Sequence, residues 1–309
     1  MILCIGTTPA AQRVMRFARL ELDAVNRAQE TTDSIAGKSI NVSKVLHELG
    51  AEPFAVGFAG GDRGRELLDG LTLRGIQHEF VEVPARTRQC ITVLDQSSHA
   101  VTELAEENHP VGVEHYWSLR AIIIRLLPGC RAVVMSGSLT PGGPVAFYRE
   151  ITEAANMNSV LTMVDAQGAS LVEALTAQPG LVKPNRQELA ATVMRTLSND
   201  AEVIEAMREV HRRGAARVVV TAGKAPTLAL DGEHLWRIET PRIPVVNPIG
   251  SGDAFSAALV WRLVQKCNLG EACRWAAAAG TANALSEVPG ELKRAEVEDL
   301  AQQVRVTAL

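Results

Sequence analysis

Along most of the chain, compact apolar runs alternate with longer stretches whose apolar positions recur every three to four residues. The runs predict strands at 2–5, 54–58, 132–135, 160–164, 217–221 and 227–230, each close to a turn signal. The stretches between and beyond them predict helices over 42–49, 63–74, 113–127, 145–156, 202–213, 254–266 and 271–286. Continuously apolar strands are buried on both faces, and helices between them provide the crossovers of a parallel sheet. The fold class is therefore α/β, a mostly parallel central sheet covered by helices on both sides. Two stretches break the rhythm: 13–33 and 89–104 alternate polar with apolar residues, and the second carries a hairpin cue at 95–99. They are expected to leave the main sheet and return, building a small β-sheet lid inserted into one domain over 1–309. No internal repeat, low-complexity tract or Pro/Gly/Ser-rich linker argues for a second domain.

Composition narrows the function classes. A hydrophobic share of 47% with 21% charged residues suits one sizeable core, and a net charge of −4 without a basic stripe gives no footprint for nucleic acid. The five cysteines are scattered, without C-x-x-C spacing or companion histidines, and read as reduced thiols rather than a metal site or disulfide framework. No run approaches the ~20 apolar residues of a membrane span, and the apolar start at 2–5 is too short for a signal peptide. A cytoplasmic location is expected. The seven histidines form no cluster and have no serine–acid partner at a recognisable elbow.

The most informative stretch is Asn247-Pro248-Ile249-Gly250-Ser251-Gly252-Asp253-Ala254-Phe255. It follows the β-branched run 243–246 and opens an apolar helix, so it reads as a strand-to-helix turn. The N–H groups of Gly250, Ser251 and Gly252 then lie at a helix N-terminus, where unpaired donors and the positive end of the dipole favour an anion. Asp253 sits beside that anion as a base able to take the proton of an attacking hydroxyl, which points to phosphoryl transfer to an alcohol. Taken by itself, the motif is equally an N-capped tight turn.

Other segments add to it. Lys183-Pro184-Asn185-Arg186-Gln187-Glu188-Leu189 opens a helix with Asn185 and Glu188 three apart. That spacing is first of all a capping box, yet it also allows both side chains to face one cleft, with Glu188 ordering water around Mg²⁺. Ala36-Gly37-Lys38-Ser39-Ile40-Asn41-Val42 is a second glycine turn entering a helix, with Lys38 and Asn41 suited to sugar hydroxyls. It is no Walker loop, since the glycine required five residues before Gly37 is Thr32. Gly57-Phe58-Ala59-Gly60-Gly61-Asp62-Arg63-Gly64 lacks the spacing of a dinucleotide fingerprint. Arg27 and Arg88 lie in and at the base of the lid segments; singly they read as surface charges, while two guanidiniums near one cleft suit a phosphorylated substrate. Ser136-Gly137-Ser138-Leu139-Thr140-Pro141-Gly142 ends a buried strand at the edge where α/β folds bind ligands.

Together, and in order over nearly the whole chain, these pieces resemble the PfkB, or ribokinase-like, family of sugar kinases. The resemblance implies a three-layer α/β/α sandwich with a small β-sheet lid. It assigns Asp253 as catalytic base, the turn Gly250, Ser251 and Gly252 as anion hole, and Lys183, Asn185 and Glu188 to the phosphates and Mg²⁺ of ATP. It places adenine near Thr221, Gly223 and Asn283. The segments around Gly37, Arg88 and Ser138 lean toward the hexose-phosphate branch, which includes 1-phosphofructokinase and tagatose-6-phosphate kinase. There Arg27 and Arg88 hold the phosphate already on the sugar, and Lys38, Asn41 and Ser138 line the sugar site.

Three positions depart from the pattern. Gln12 stands where the branch has an aspartate, Ser39 where the lysine turn has glycine, and Pro226 where the nucleotide-side turn has glycine. The expected activity is ATP-dependent phosphorylation of a sugar, most simply a phosphorylated hexose of the fructose 1-phosphate or tagatose 6-phosphate type. A kinase of an unphosphorylated sugar or nucleoside, and a binding protein that has lost turnover, stand as alternatives. Exposed lid edges invite pairing with a second copy.

Overall fold

The computed structural model describes all 309 residues. In chain order the strands are β1 (Ile2–Gly6), β2 (Ala10–Phe17), β3 (Glu30–Ala36), β4 (Pro53–Ala59), β5 (Gln77–Glu82), β6 (Arg88–Asp95), β7 (Ala100–Ala105), β8 (Ala132–Ser136), β9 (Leu161–Asp165), β10 (Leu181–Val182), β11 (Arg217–Ala222), β12 (Ala225–Asp231), β13 (His234–Glu239) and β14 (Arg305–Ala308). The helices are α1 (Lys38–Glu48), α2 (Gly61–Leu73), α3 (Val113–Leu126), α4 (Phe147–Met157), α5 (Gly168–Leu175), α6 (Arg186–Thr192), α7 (Asp200–Arg212), α8 (Ser251–Val264), α9 (Leu269–Asn283) and α10 (Arg294–Gln303).

Ten strands form one sheet in the order β14-β13-β12-β11-β10-β9-β8-β1-β4-β5. Pairing is parallel from β11 through β5 and antiparallel from β11 to β14. The central strands are apolar on both faces because both faces are covered. Ile2, Cys4, Ala132 and Val134 point into a core shared with α1, α8, α9 and α10. Their neighbours Leu3, Ile5, Val133 and Met135 point the other way, into a core shared with α3, α4, α5 and α7. One-residue alternation along a strand thus sends side chains into two separate cores, giving three layers.

A second sheet has the order β3-β2-β6-β7. β2 pairs antiparallel with β3 and parallel with β6, and β6 pairs antiparallel with β7. The register sets Gln12 opposite Cys90. Its strands begin at Ala10 and Arg88, earlier than the polar alternation suggests, and residues 18–29 form no strand.

Several elements differ from the sequence expectation. The β-branched run 243–246 is not a strand: Val245 and Val246 are 45% and 39% exposed. Pro241, Pro244 and Pro248 deprive this stretch of donors, so no ladder forms, and the N–H groups of Val246 and Asn247 both go to the Ala284 carbonyl. The anion turn therefore follows a loop. Four strands lie outside the expected set: β10 is only two residues long, and β5, β13 and β14 are mixed-polarity and partly exposed. The C-terminal helix α10 also lies beyond the expected set and buries Val297, Leu300 and Ala301.

Candidate active site

The parallel strands present their carboxyl ends along one edge of the sheet, and there the chain leaves β1 for the lid strand β2. This edge, roofed by the lid, encloses a cleft of about 330 Å³. Two glycine turns open helices into it. Gly37 (φ 108°) precedes α1 and Gly250 (φ 83°) precedes α8. Both angles lie where only glycine is unstrained. At Gly37 there is also no room for more, since a Cβ would lie 2.7 Å from the Pro9 Cα.

At the α8 turn, the Ser251 N–H bonds the Pro248 carbonyl (3.2 Å) and the Asp253 N–H the Gly250 carbonyl (3.0 Å). Of the three donors expected to meet an anion, Ser251 is therefore spent on the turn itself. The N–H groups of Gly250 and Gly252 have no acceptor in the chain. Both glycines line the cleft, and the Lys183 ammonium stands 4.0 Å from where a Gly252 Cβ would lie. Asp253 is 8% exposed. Its Oδ2 accepts from the Asn41 amide (2.8 Å), while Oδ1 has no partner. Burial above all pushes its carboxyl up to about 6, with Lys38 and the Asn41 amide opposing. Such a carboxylate is an adequate base near neutral pH.

On the lid side, Gln12, Gly37, Lys38, Asn41 and Arg88 all line the cleft. Gln12 is buried and its Nε2 donates to Thr92 Oγ1 (2.8 Å), leaving Oε1 and the second amide N–H without a partner in the chain. Asn41 Oδ1 is buried without a partner, an acceptor facing no donor of the protein. Arg88 reaches from the first residue of β6, and its Nε is buried and unpaired. On the opposite side Lys183, Asn185, Glu188 and Thr221 line the same space. The expected capping box is present: Asn185 Oδ1 accepts from the Glu188 N–H (2.9 Å) and Glu188 Oε2 from the Asn185 N–H (2.7 Å). Its other oxygen stands 4.0 Å from the Lys38 ammonium. Capping and facing the cleft are thus one arrangement.

Four expected residues are placed elsewhere. Arg27 is exposed in the 18–29 loop and does not line this chain's cleft, since that loop runs along the lid's outer end. Ser138 is exposed on the loop after β8 and enters the bonding only through its carbonyl, which accepts from Thr7 Oγ1 (3.0 Å). Gly223 sits in the β11–β12 turn with φ 60° and also lies outside the cleft lining. Asn283 is fully buried, and its side chain is consumed by the anion turn: the amide donates to the Ile249 carbonyl (2.8 Å) and Ser251 Oγ (3.2 Å), and Oδ1 accepts from the Gly290 N–H (2.7 Å). It braces the turn and has no atom left for a base.

Asp165 is the residue that sequence reasoning missed. It ends β9, 1% exposed, and bridges both lysines: Oδ1 accepts from Lys38 (3.3 Å), Oδ2 from Lys183 (3.2 Å) and from Ser256 Oγ (2.9 Å). Burial pushes this carboxyl up, but Lys183, Lys38 and Ser256 together outweigh it and hold it below the usual range. In return Asp165, ahead of the opposing cost of burial, raises the Lys38 ammonium, helped by Asp253 and Glu188. The only local signal was an acid ending a buried parallel strand.

A buried base with a free oxygen, a glycine-rimmed helix N-terminus with free donors, and two lysines fixed by one carboxylate are parts for moving an anionic group onto a hydroxyl. The profile of the pfkB family carbohydrate kinases matches residues 1–292. The chain belongs to that family. A tagatose-6-phosphate kinase of Staphylococcus epidermidis is 28% identical over 309 residues, covering 99% of both chains. The phosphofructokinase-2 of Escherichia coli, solved in complex with fructose-6-phosphate, superposes with a TM-score of 0.89 at 25% identity over 98% of each chain. The tetrameric inhibited form of the same enzyme superposes equally well, at a TM-score of 0.89 and 25% identity over 98% of each chain. This carbohydrate kinase has no helix long and apolar enough to cross a membrane.

Proposed function

We propose that this kinase transfers the terminal phosphoryl group of ATP to a hydroxyl of a phosphorylated hexose of the tagatose 6-phosphate or fructose phosphate class. The observation that carries the chemistry is Asp253, buried, with Oδ1 free, one residue beyond the unpaired N–H of Gly252. Asp253 takes the proton of the attacking hydroxyl, and the Gly250 and Gly252 donors meet the charge that migrates between donor and acceptor. Lys183 stands over this turn and is expected to steady the nucleotide's phosphates. Lys38, with Asp165 behind it, faces the side where base and acceptor meet.

The residues fit Mg²⁺ in one specific way. No group of three carboxylates, histidines or cysteines gathers anywhere in the chain, and one Glu188 oxygen is committed to the capping box. That leaves one hard oxygen toward the cleft, which suits an ion bound mainly by waters and phosphates. When bound, Mg²⁺ would neutralise phosphate charge, while Glu188 orients its water shell.

The groups that remain free support one position for the sugar phosphate. Lys38 and Lys183 are tied to Asp165, so Arg88, with its unpaired Nε, is the cleft's guanidinium for a second phosphate. The relatives named tagatose-6-phosphate kinase and phosphofructokinase-2 support the same acceptor class. ATP consumption measured across sugars and sugar phosphates tests the reading: turnover is expected on hexose phosphates, and turnover confined to neutral sugars or nucleosides would overturn it. Arg88→Ala should raise KM for the sugar phosphate by an amount corresponding to about 1.5–3 kcal/mol while leaving KM for ATP unchanged.

The lid is also where a second copy would pair. Leu22, Val25 and Leu104 are 91%, 83% and 55% exposed on the lid and its loop, and the edge strands β3 and β7 offer unpaired backbone groups for a second copy to cover. Sedimentation should show a dimer that Leu104→Lys weakens; a monomer at all concentrations would remove the pairing.

A further inference from the structure

Lys44 lies on α1, one turn beyond Asn41, yet its surroundings are unlike those of Lys38. Its side chain is 2% exposed. The ammonium has three donors and meets three acceptors: the Ile35 carbonyl (3.1 Å), the Pro289 carbonyl (2.7 Å) and Glu291 Oε1 (3.2 Å). Glu291 also takes the Arg74 guanidinium at 2.7 Å.

These partners belong to parts of the molecule otherwise joined by more exposed side chains, the Arg16–Glu287 ion pair from β2 and Arg74 between Ser34 and Glu291. Ile35 is the penultimate residue of strand β3, just before the Gly37 turn, so its carbonyl marks where the lid returns to the core. Pro289 belongs to the loop between α9 and α10 and lines the cleft. That loop leans on the anion turn: a Cβ on Gly250 would lie 3.1 Å from both the Gly290 nitrogen and the Pro289 Cβ. The Gly290 N–H in turn holds Asn283, whose amide fixes Ile249 and Ser251.

We propose that Lys44 is a positioning residue that fastens the lid's returning strand to the loop walling the anion turn, and that this alignment holds only while Lys44 carries its third proton. The consequence for turnover rests on the kinase reading above; the linkage itself does not. The charged groups facing Lys44 are Glu291 from the loop, Arg74 from the end of α2 and Asp253 from α8. Burial above all pulls its ammonium down to about 8, Arg74 adds to that, and Glu291 and Asp253 oppose it. A neutral amine keeps two donors for three acceptors and loses the ion pair, so the clamp slackens on mild alkalinisation.

The sign for stability is opposite. The folded state releases this proton near pH 8 while the unfolded chain keeps it to about 10.5, so in that window the unfolded state binds more protons and this group's contribution to stability rises with pH. The protein is expected to gain stability from Lys44 over the range in which it slows.

The test is kcat with ATP and a sugar phosphate from pH 6.5 to 10, with thermal midpoints over the same range. The wild type should fall about fivefold across an alkaline limb. Lys44→Met should sit on the low plateau without that limb, and Lys44→Arg should hold the high plateau throughout. Glu291→Gln should move the limb to lower pH and Arg74→Gln to higher pH, opposite shifts that simple loss of packing does not produce. Lys44→Met should also lose the wild type's rise in thermal midpoint between pH 8 and 10; where that variant does not fold, Lys44→Arg, Glu291→Gln and Arg74→Gln decide alone. Coincident limbs in wild type, Glu291→Gln and Arg74→Gln, or full kcat in Lys44→Met, overturn the proposal. A protein inactive on every sugar yet showing the thermal difference sinks the kinase reading and leaves the clamp standing.

Discussion

The two glycine turns of the cleft are built alike and charged oppositely. Each places a glycine of positive φ at the N-cap with no side-chain cap, and each opens a helix whose first turn reaches into the same space. Behind Gly250 an acid follows at the third helical position, as the helix dipole favours. Behind Gly37 a lysine follows at the first, where the dipole opposes it. The cation is kept by a carboxylate from another element, Asp165 on β9, and the acid is lifted toward neutrality by burial. Asn41 joins the two turns by holding Asp253 Oδ2. A glycine turn thus fixes where a charge stands, and its neighbours decide whether that charge is locked or free to take a proton.

The largest expected effect follows from removing the free charge. Asp253→Asn keeps the shape and the bond to Asn41 but loses the base, so kcat should fall by about 10² to 10⁴ with nucleotide affinity retained. Near-normal turnover in this variant would sink the mechanism. The same carboxyl sets an acid limb: with Asp253 pushed up to about 6, kcat/KM should fall tenfold for each pH unit well below that value, because only the ionised form accepts a proton. Absence of an acid limb near pH 6 assigns the base elsewhere.

Removing the locked charge should act through both lysines at once. Asp165→Asn leaves Lys183, 5% exposed, and half-exposed Lys38 facing each other without their common anion. Loss of one partner from a buried ion pair costs about 3–5 kcal/mol. Because both lysines serve the cleft, chemical denaturation should show that loss together with a higher KM for ATP. A variant that keeps ATP affinity while losing stability would mean that Asp165 serves the core alone.

How much of this was legible depended on whether a signal was local. The turn from Gly250 to Asp253 and the box at Asn185 and Glu188 are contiguous, so their spacing alone located them. Asp165 is a single acid at the end of an apolar strand, and its meaning comes from Lys38, 127 residues away. The central strands were visible because burial on both faces makes them uniformly apolar, whereas β5, with the sequence QHEFVE, is half-exposed and reads as a loop. The run 243–246 misled for the converse reason: its residues favour strands, but its prolines leave too few donors to pair. Asn283 was assigned to adenine by likeness, and only the packing showed its amide committed to the anion turn.

The smallest expected effect tests whether the lid takes part in the comparison at all. Gln12 brings neither a free charge nor a locked one: Thr92 takes one of its two amide donors, so the side chain offers a ligand one acceptor oxygen and one remaining N–H. Gln12→Leu approximates the volume and removes that oxygen, and a sugar hydroxyl meeting it would lose one neutral hydrogen bond, about 0.5–1.5 kcal/mol. KM for the sugar phosphate should rise by up to about tenfold, kcat should change less, and KM for ATP should not move. Gln12→Glu should retain the acceptor, because the Thr92 hydroxyl can turn to donate to the carboxylate, and should therefore stay closer to the wild type than Gln12→Leu does. Equal KM values for the sugar phosphate in all three proteins would mean that the acceptor never reaches this strand, leaving selection of the sugar to Asn41 and Arg88.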